Sequence, residues 1–405
     1  MSKMKFVLVG CGRIATLHVA GYKNRDDAEL YGVCDKNRQA AKKFAEEHGI
    51  PKIYDCYEDV LADPEVTGVE LLVPHHLHCP MTIAACRAKK HVSVQKPMAL
   101  NLAECDQMIA AAKENGVKLK VFENFVHYPP YLFLKKLIED GEIGEIRGVR
   151  YKMCNGGLNS ENAPAAKVRA KKAGVDLSEL EPTGWKVDTL SWTWRLNETL
   201  AGGGPVVFDD GYHKFSLFMD LLGDVEKVSA WIDSTPVFGN LCQDSPAVVM
   251  WKYKDKKVYG VWDITCADDM YVKGKYYTCD ERLEVTGSRG VVWLTRCTAE
   301  MLDSVAPVLL YRDGKLTEFW DMPHDWQDAF INSTVDFIEA IKFDREPVLS
   351  GERGREVLKF ALAAMKSAEE NREVTLECSL DRELQKRKSF ISLMLKKKDK
   401  KCPGK

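Results

Sequence analysis

Apolar residues in the first third of the chain follow two alternating patterns, short continuous runs and longer segments with helical spacing. The continuous runs predict six strands, at 5–9, 30–34, 52–54, 69–73, 91–94 and 117–122. The helically spaced segments predict the intervening helices, at 17–22, 38–48, 81–89 and 102–115. Buried strands that alternate with helices are typical of a parallel sheet covered on both faces. This part therefore predicts an α/β, doubly wound Rossmann domain.

Beyond residue 122 the pattern changes to runs rich in β-branched and aromatic residues. These runs predict strands, at 146–153, 227–232, 247–253, 258–264, 283–286, 291–294 and 308–311. Helical spacing returns in four segments, at 131–139, 208–222, 327–343 and 353–371. Strands linked by turns, with helices over one face, predict an α+β domain on a mainly antiparallel sheet. The polar, glycine-rich stretch 155–186 is predicted to be an irregular surface insertion.

The composition describes a globular protein with more than one domain. Its 405 residues are 45% hydrophobic and 29% charged, and we expect domains at 1–123 and 124–377 before a basic tail at 378–405. The 58 basic and 60 acidic residues nearly cancel, which gives no overall attraction to nucleic acid. No apolar run approaches the roughly 18 residues that cross a bilayer, so no membrane partner is expected. Without a signal-peptide pattern, we expect a cytoplasmic protein whose 13 cysteines are reduced.

The C-terminal tail is strongly basic. Residues 381–405 hold ten basic and three acidic side chains. Such a tail is either a binding segment for anionic partners or a solvated extension that contacts another subunit. We favour the second interpretation because the tail lacks interleaved aromatic residues and any known binding motif.

A glycine-rich turn follows the first strand and opens the first helix. Gly10 permits a tight turn, and Gly12 lets the backbone approach a pyrophosphate. Ala15 then lets the helix pack close to the strand. The free N–H groups at the helix start favour phosphate binding, so Arg13 and Ile14 are also expected to contact a dinucleotide.

Asp35 at the end of the second strand indicates which dinucleotide is preferred. A carboxylate there accepts both ribose hydroxyls of the adenosine half and repels a 2′-phosphate. We therefore expect NAD rather than NADP. Lys36 and Arg38 nearby leave dual use as an alternative.

Polar side chains cluster where the fourth, fifth and sixth strands end. The carboxyl edge of a doubly wound sheet is its binding edge. We therefore expect cofactor contacts from Pro74, His75, His78, Gln95, Lys96 and Asn124. The three histidines at 75, 76 and 78 lack an obvious partner carboxylate, and alternate residues of an extended segment face opposite ways. No metal is expected there.

Lys96 and His213 are the candidate catalytic groups. Lys96 stands between a buried strand and a proline, where it can hydrogen-bond a substrate hydroxyl; the alternative is a lysine that reaches solvent. Asp209 and His213 follow a run of three glycines and share one face of a helix. A histidine held beside a carboxylate can accept the proton of an alcohol while hydride leaves the same carbon. The alternative is a capping aspartate and a buried structural histidine.

Four motifs stand out in the sequence: GCGRIA at 10–15, VPHHLH at 73–78, VQKPMAL at 94–100 and AGGGPVVFDDGYHKFSLFMDLLG at 201–223. Taken together, they resemble the Gfo/Idh/MocA oxidoreductases, the family of glucose–fructose oxidoreductase and inositol dehydrogenase. The resemblance continues through 134–146 and 337–374 and covers nearly the whole chain apart from the insertion and the tail.

The resemblance implies a fold, an activity and three site residues. It implies a Rossmann domain followed by a large open, mainly antiparallel sheet through which members form dimers or tetramers. Members usually oxidise or reduce a sugar, polyol or related ring with NAD(H) or NADP(H). Lys96 matches the lysine that contacts substrate and cofactor, and His213 matches the usual proton acceptor. Asp209 matches the family aspartate, expected to orient the sugar or the histidine.

The sequence departs from the family pattern at several positions near the site. Gln95 replaces the usual glutamate, His75 replaces an asparagine, and Ser216 stands where many relatives carry a second aspartate. Phe125 and Val126 stand where arginine is common. These changes separate the chain from typical inositol dehydrogenases.

Trp194 and Arg195 are candidate substrate contacts beside Lys96, Asp209 and His213. An aromatic platform with a cation suits a sugar ring, although tryptophan is also common in cores and interfaces. We predict an NAD-dependent oxidoreductase acting on a secondary alcohol of a sugar or glycoside. The chain also resembles one branch of the family that oxidises glycosides at C3, in which the nicotinamide is sometimes kept bound and regenerated by a second carbonyl compound. The alternatives are a glycosidase that uses transient oxidation, an inositol or polyol dehydrogenase, a non-catalytic regulator and a metal-dependent enzyme.

Overall fold

The fold is described from a computed structural model. It describes residues 3–158, 174, 176, 184–185, 193–238 and 241–377. Most of the predicted insertion at 155–186, and the basic tail at 378–405, lie outside the described residues. Elements are numbered below in chain order.

The N-terminal sheet has six parallel strands in the order β3-β2-β1-β4-β5-β6. The strands are β1 (Met4–Val9), β2 (Ala28–Cys34), β3 (Lys52–Tyr54), β4 (Gly68–Leu71), β5 (His91–Gln95) and β6 (Leu119–Phe122). The helices between them are α1 (Ala15–Val19), α2 (Arg38–His48), α3 (Tyr57–Ala62), α4 (His78–Arg87) and α5 (Leu102–Asn115). This order confirms the predicted Rossmann fold, whose binding crevice lies where the strand order reverses beside β1.

Local capping signals fix the ends of α5. The Asn101 side chain accepts a hydrogen bond from the Glu104 N–H (2.9 Å), and the Glu104 carboxylate accepts one from the Leu100 N–H (3.1 Å). Gly116 ends the helix in the left-handed conformation (φ 65°), which glycine adopts without steric strain. The helix therefore occupies the predicted range 102–115.

The second sheet has nine strands in the order β16-β15-β14-β13-β7-β12-β11-β8-β17. Its longer strands are β7 (Ile146–Leu158), β8 (Val225–Ile232), β11 (Ala247–Tyr253), β12 (Tyr259–Tyr271) and β13 (Cys279–Gly287). The remaining strands are β14 (Gly290–Leu294), β15 (Val308–Arg312), β16 (Lys315–Phe319) and β17 (Val374–Thr375). All pairs are antiparallel except β7 with β12, which confirms a large, mainly antiparallel sheet. A separate hairpin, β9 (Thr235–Phe238) and β10 (Leu241–Gln243), was not predicted.

Helices cover one face of the second sheet and leave the other open. The helices of this half are α6 (Pro129–Glu139), α7 (Glu198–Ala201), α8 (Gly211–Leu222), α9 (Trp326–Lys342) and α10 (Gly351–Glu370). On the covered face, Phe218 of α8 stacks on Trp251 with ring centroids 4.3 Å apart. On the open face, Trp231 and Tyr259 are each 62% exposed. In the part of the chain that is described, no helix is both long and apolar enough to cross a membrane.

The last two helices also pack on the Rossmann sheet. Phe337 of α9 lies 5.6 Å from Phe6 of β1, measured between ring centroids. The buried Lys120 of β6 donates a 3.0 Å hydrogen bond to Asp336 of α9. At α10, a β-carbon added to Gly354 would lie 2.4 Å from Val121. The predicted division at residue 123 therefore separates the two sheets, but helices of the second half complete the first core.

Candidate active site

The candidate site lies where the carboxyl ends of β4, β5 and β6 meet the start of α8. A π-helical turn, Pro205–Asp210, precedes α8 and carries the first site carboxylates. The Asp244 carboxylate accepts hydrogen bonds from the N–H groups of Val206 (2.7 Å) and Val207 (2.8 Å), which anchors this turn. A β-carbon on Gly204 would lie 2.1 Å from the Asp244 carboxyl carbon, so the glycine permits this close approach.

Lys96 and Arg195 both bind Asp209. The Lys96 ammonium donates hydrogen bonds to the Asp209 carboxylate (2.7 Å) and to its backbone carbonyl (2.9 Å). Arg195 Nε donates to the other carboxylate oxygen (3.0 Å). Burial would raise the pKa of Asp209, but the charges of Lys96 and Arg195, with His75, hold it well below its ordinary value. Asp209 therefore stays ionised and orients Lys96 in the cleft.

His213 is paired with Glu123 rather than with Asp209. Its Nδ1 lies 2.7 and 2.8 Å from the two carboxylate oxygens of Glu123, which is fully buried directly after β6. Because a carboxylate only accepts, Nδ1 must donate. The lone pair of Nε2 is then left to accept a proton. The Phe125 ring stacks on the imidazole, with centroids 4.5 Å apart.

The charge states of this pair suit a general base. Burial lowers the pKa of His213 below 6.5, Lys96 lowers it further, and Glu123 partly opposes them. The imidazole is therefore neutral at neutral pH. Burial would raise the pKa of Glu123, but His213, the Phe125 N–H and Lys96 lower it below its ordinary value, so the carboxylate stays ionised.

No role was predicted for Glu123 from the sequence. The carboxylate beside His213 was predicted to be Asp209, because those residues are four apart and a helix places them on one face. The structure differs because Asp209 lies in the π-helical turn, where its carboxylate accepts hydrogen bonds from Lys96 and Arg195. A carboxylate that directly follows a buried parallel strand was the signal available in the sequence.

The glycine-rich loop has the shape that a dinucleotide pyrophosphate requires. Gly10 has φ 106°, and a β-carbon there would lie 2.3 Å from the Leu72 carbonyl oxygen. A β-carbon on Gly12 would have no atom within 4 Å, so space is open beside this turn. Ile14 precedes α1 directly, at the helix start where N–H groups face the ligand. These three positions are compatible with the predicted cofactor loop.

Asp35 lies at the end of β2 beside this loop. One carboxylate oxygen accepts a hydrogen bond from the Cys11 N–H (2.8 Å), and the other accepts one from the Asn37 N–H (2.7 Å). Each oxygen has a second lone pair, so the carboxylate can still accept ribose hydroxyls. Its position is therefore compatible with the predicted adenosine contact.

Asn124 contributes a buried hydrogen-bond donor, its side-chain amide nitrogen. Its side chain is 2% exposed, and its Nδ2 forms no hydrogen bond with the described residues. A buried amide nitrogen without a partner is energetically unfavourable, and a bound ligand would satisfy it. This observation fits the prediction that Asn124 contacts the cofactor.

Gln95 turns its side chain into the Rossmann core. Its Oε1 accepts a hydrogen bond from the Lys96 N–H (2.9 Å), and its Nε2 lies 3.2 Å from His18 Nε2. His18 Nε2 must then be the acceptor, so its Nδ1 donates to the buried Glu70 carboxylate. A neutral amide suits position 95 because Glu70 already supplies the carboxylate for His18. Gln95 therefore positions the Lys96 backbone in this structure.

The two predicted cofactor histidines are held by backbone carbonyls. His75 Nδ1 donates to the Ala201 carbonyl (2.8 Å), and burial lowers the pKa of His75 to about 3. His78 is fully buried, and its ring nitrogens each lie 2.9 Å from a carbonyl oxygen, of Val73 and Pro97. His78 thus links two strand ends and has no ring nitrogen free for a cofactor. Half-buried Pro74 precedes this segment.

Arg13 connects the glycine-rich loop to the second half of the chain. Its guanidinium carbon lies 4.9 Å from the centroid of the Trp185 ring and 5.6 Å from that of Tyr277. The Trp185 backbone N–H donates to the Tyr276 carbonyl (2.8 Å), which fixes the tryptophan beside the 276–277 segment. This cation–π cluster of Arg13, Trp185 and Tyr277 joins the glycine-rich loop to the second half of the chain.

Trp194 lies at the edge of the Lys96–Asp209 pair. Its ring is perpendicular to that of His75, with centroids 4.7 Å apart, and the Arg195 guanidinium lies 4.5 Å from its centroid. The predicted substrate platform is thus adjacent to the predicted catalytic lysine. Among the described residues, no three His, Cys, Asp or Glu side chains form a metal-binding group.

Two family models match the chain. Residues 4–123 match "Oxidoreductase family, NAD-binding Rossmann fold", and residues 135–376 match "Oxidoreductase family, C-terminal alpha/beta domain". The chain is 27% identical over 381 residues to myo-inositol 2-dehydrogenase of Thermotoga maritima, an alignment that covers 92% of this chain and 99% of the relative. The chain is also 26% identical over 210 residues to levoglucosan dehydrogenase of Pseudarthrobacter phenanthrenivorans, an alignment that covers 51% of this chain and 46% of the relative.

Solved structures share the fold. Levoglucosan dehydrogenase in complex with NADH and levoglucosan superposes with a TM-score of 0.74 at 19% identity, covering 93% of this chain and all of the other. An oxidoreductase from Agrobacterium radiobacter, in complex with NAD+, L-tartaric acid and magnesium, also has a TM-score of 0.74 at 19% identity and covers 93% and 99%. The chain therefore belongs to the Gfo/Idh/MocA oxidoreductase family, with NAD as the cofactor of its Rossmann domain.

Proposed function

We propose that the protein oxidises a secondary alcohol of a neutral sugar, glycoside or cyclic polyol with NAD. The observation that carries this proposal is the presence of two oriented pairs in one cleft. Asp209 orients Lys96, and Glu123 orients His213. Together they supply a hydrogen-bond donor and a proton acceptor, which is what alcohol oxidation requires.

Each site residue has one task in this reaction. Lys96 donates a hydrogen bond to the substrate hydroxyl oxygen and favours loss of its proton. His213 Nε2 accepts that proton, and the buried Glu123 carboxylate stabilises the imidazolium that results. Bound NAD would supply the acceptor for the hydride that leaves the same carbon. Asn124 and the glycine-rich loop would hold the dinucleotide, and the Phe125 ring stacks on the His213 imidazole.

The charge of the site favours a neutral substrate. Lys96 and Arg195 carry two positive charges, and Asp209 and Glu123 balance them with two negative ones. His213 adds none because its neutral form is favoured. These two sets of paired charges cancel, so they favour neither an anionic nor a cationic substrate. The names of the inositol and levoglucosan dehydrogenases, both acting on rings with secondary hydroxyls, support the same class.

Within this function we propose that the dinucleotide is held firmly between turnovers. The Arg13–Trp185–Tyr277 cluster, which joins the glycine-rich loop to the second half of the chain, supports this. The glycoside C3 branch of the family, with regeneration by a second carbonyl compound, is the corresponding finer proposal. A dehydrogenase of inositol or another polyol, supported by the Thermotoga relative, is the second candidate.

The open face of the second sheet supports self-association. Trp231, Met250 and Tyr259 are exposed there on neighbouring strands. We propose that two copies bury these side chains against each other. Light scattering on purified protein would give a dimer or tetramer mass, and a monomer mass at micromolar concentration would refute this part.

The first experiment is an absorbance spectrum of freshly purified protein, followed by mass spectrometry of whatever acid releases. Stoichiometric NAD or NADH supports a held cofactor, and sugar plus carbonyl pairs are then screened. An empty protein refutes retention, and added NAD is then tested with myo-inositol, levoglucosan and methyl β-glucoside. NADH formation that His213→Ala abolishes supports the proposal. Glycoside cleavage without net NADH indicates the glycosidase alternative, and failure to bind NAD refutes the function.

A further inference from the structure

Asp210 presents a carboxylate oxygen that is not used by the reaction described above. Its Oδ2 accepts a hydrogen bond from the Lys214 ammonium (2.8 Å). Among the described residues none donates to its Oδ1. The side chain is 35% exposed, whereas that of neighbouring Asp209 is 5% exposed. One oxygen of Asp210 is therefore held, and the other is open to solvent.

Buried contacts fix the orientation of this carboxylate. The Lys214 side chain is 1% exposed, and its ammonium lies 2.6 Å from Glu281, a buried carboxylate. The same ammonium lies 4.6 Å from the centroid of the Phe125 ring, whose plane stacks on His213. Because Lys214 cannot move without leaving Glu281 unpaired in the core, it holds Asp210 in one position.

Asp210 lies close to the groups proposed to react. It follows Asp209 directly and ends the π-helical turn, one residue before the helix that carries His213. Burial would raise the pKa of Asp210, but Lys214, His213 and Lys96 together lower it. The Lys214 ammonium that binds Asp210 also contacts the Phe125 ring, which stacks on His213, and this contact links Asp210 to the His213 side of the site. The carboxylate stays ionised at neutral pH.

We propose that Asp210 is a specificity-determining residue that accepts a hydrogen bond from a second hydroxyl of the substrate. This inference rests on the proposed function. A fixed, ionised acceptor makes a strong, directional hydrogen bond to a hydroxyl. It remains without a partner when a substrate lacks that hydroxyl. The site therefore selects polyhydroxylated rings over molecules with a single alcohol group.

The test combines Asp210→Asn with substrates from which one hydroxyl has been removed. Whichever of myo-inositol, levoglucosan or methyl β-glucoside is oxidised is compared with those of its monodeoxy derivatives that keep the hydroxyl being oxidised, and kcat/KM is measured for each. For the wild type, we expect kcat/KM to be lower by about 100-fold or more for one derivative than for the full substrate. Asp210→Asn should lower kcat/KM for the full substrate by about 10-fold or more, but by less than about 3-fold for that one derivative.

Two controls separate this role from a structural one. Asp224→Asn removes a carboxylate that pairs with Arg353 and is 55% exposed. This variant should leave the ratio of kcat/KM between the full substrate and each derivative unchanged. NADH binding by fluorescence checks that Asp210→Asn is folded. An equal loss for all substrates would assign Asp210 to structure and overturn the inference.

The substrate series also tests the inference without any variant. If the wild-type kcat/KM falls by no more than about 3-fold for every one of these derivatives, the enzyme recognises no second hydroxyl and the inference is wrong. If the wild type oxidises no polyol at all, the proposed function fails instead.

Discussion

The Nδ1 atom of His213 lies 2.7 and 2.8 Å from the two carboxylate oxygens of Glu123, across 90 residues of sequence. The pair joins the end of a Rossmann strand to a helix of the second half. It fixes which ring nitrogen carries the hydrogen and leaves the other to act as a base. The proton chemistry of the site thus depends on how the two halves pack.

Glu123→Gln should lower kcat and move the acid limb of the pH profile to lower pH. His213 acts as a base in its neutral form, so activity is lost as pH falls through its lowered pKa. Glu123 raises that pKa, and a neutral amide would let it fall further. We expect kcat to fall about 100-fold, because the imidazolium loses its counter-charge. A kcat profile whose limb moves to higher pH would contradict the pairing.

Lys96→Met should abolish turnover while NAD remains bound. The variant removes the hydrogen bond to the substrate oxygen, and we expect a loss of about 1,000-fold in kcat/KM. Lys96→Arg retains the positive charge but replaces the compact ammonium with a planar guanidinium, so it should recover part of the activity. NADH titration monitors the cofactor site independently. Unchanged kcat/KM in Lys96→Met would exclude a catalytic role.

Trp185→Ala should accelerate NADH dissociation. Loss of a ring that contacts the Arg13 guanidinium removes about 1 kcal/mol, which corresponds to about 5-fold in affinity. Stopped-flow displacement measures the dissociation rate directly. Trp231→Ala, which removes an exposed tryptophan from the open sheet face, is the matched control. Equal rates in both variants would show that the cluster does not hold the cofactor.

The Lys120–Asp336 pair should make stability depend on pH in the acid range. Burial would raise the pKa of Asp336, but Lys120, His127 and Arg345 lower it from 3.8 to about 2. A carboxyl group with a depressed pKa stabilises the fold by about 2 kcal/mol above pH 4, and this contribution is lost as pH falls towards 2.

Urea unfolding of Asp336→Asn tests this effect. The variant should be less stable than the wild type at pH 6, and the difference should narrow between pH 4 and pH 2. The double variant Lys120→Met with Asp336→Asn should regain part of the lost stability, because neither partner is then left charged and buried. A difference that does not change with pH would mean that Asp336 is not ionised in the folded protein.

Local signals account for what the sequence predicted well. Helix α2 lies at 38–48 as predicted, because Asn37 caps its start and Gly49 its end, and both are visible in the sequence. The β9–β10 hairpin, strand β16 and the parallel pairing of β7 with β12 were not predicted. Those features depend on partners that are distant along the chain or on weak strand patterns, which periodicity does not reveal.

The same division applies to the site. Lys96 and Asp209 were predicted to share one site because both match residues of the family motifs, and Lys96 also follows a strand at the binding edge of the Rossmann sheet. The contacts of His78 and Gln95 were not predicted, since whether a polar side chain faces a ligand or the core depends on rotamers and on backbone carbonyls. Glu123 was given no role because its partner lies on a separate element.

The packing of α9 and α10 on the N-terminal sheet limits how this protein can be rebuilt. A cofactor domain cut out after residue 123 would leave Phe6 and Lys120 without Phe337 and Asp336. Transplanting that domain into a relative, to change cofactor preference, would therefore leave an apolar surface uncovered and a buried lysine unpaired, and the chimera would be unstable. The exchangeable module is discontinuous, and any chimera has to carry residues 326–370 together with the first 123.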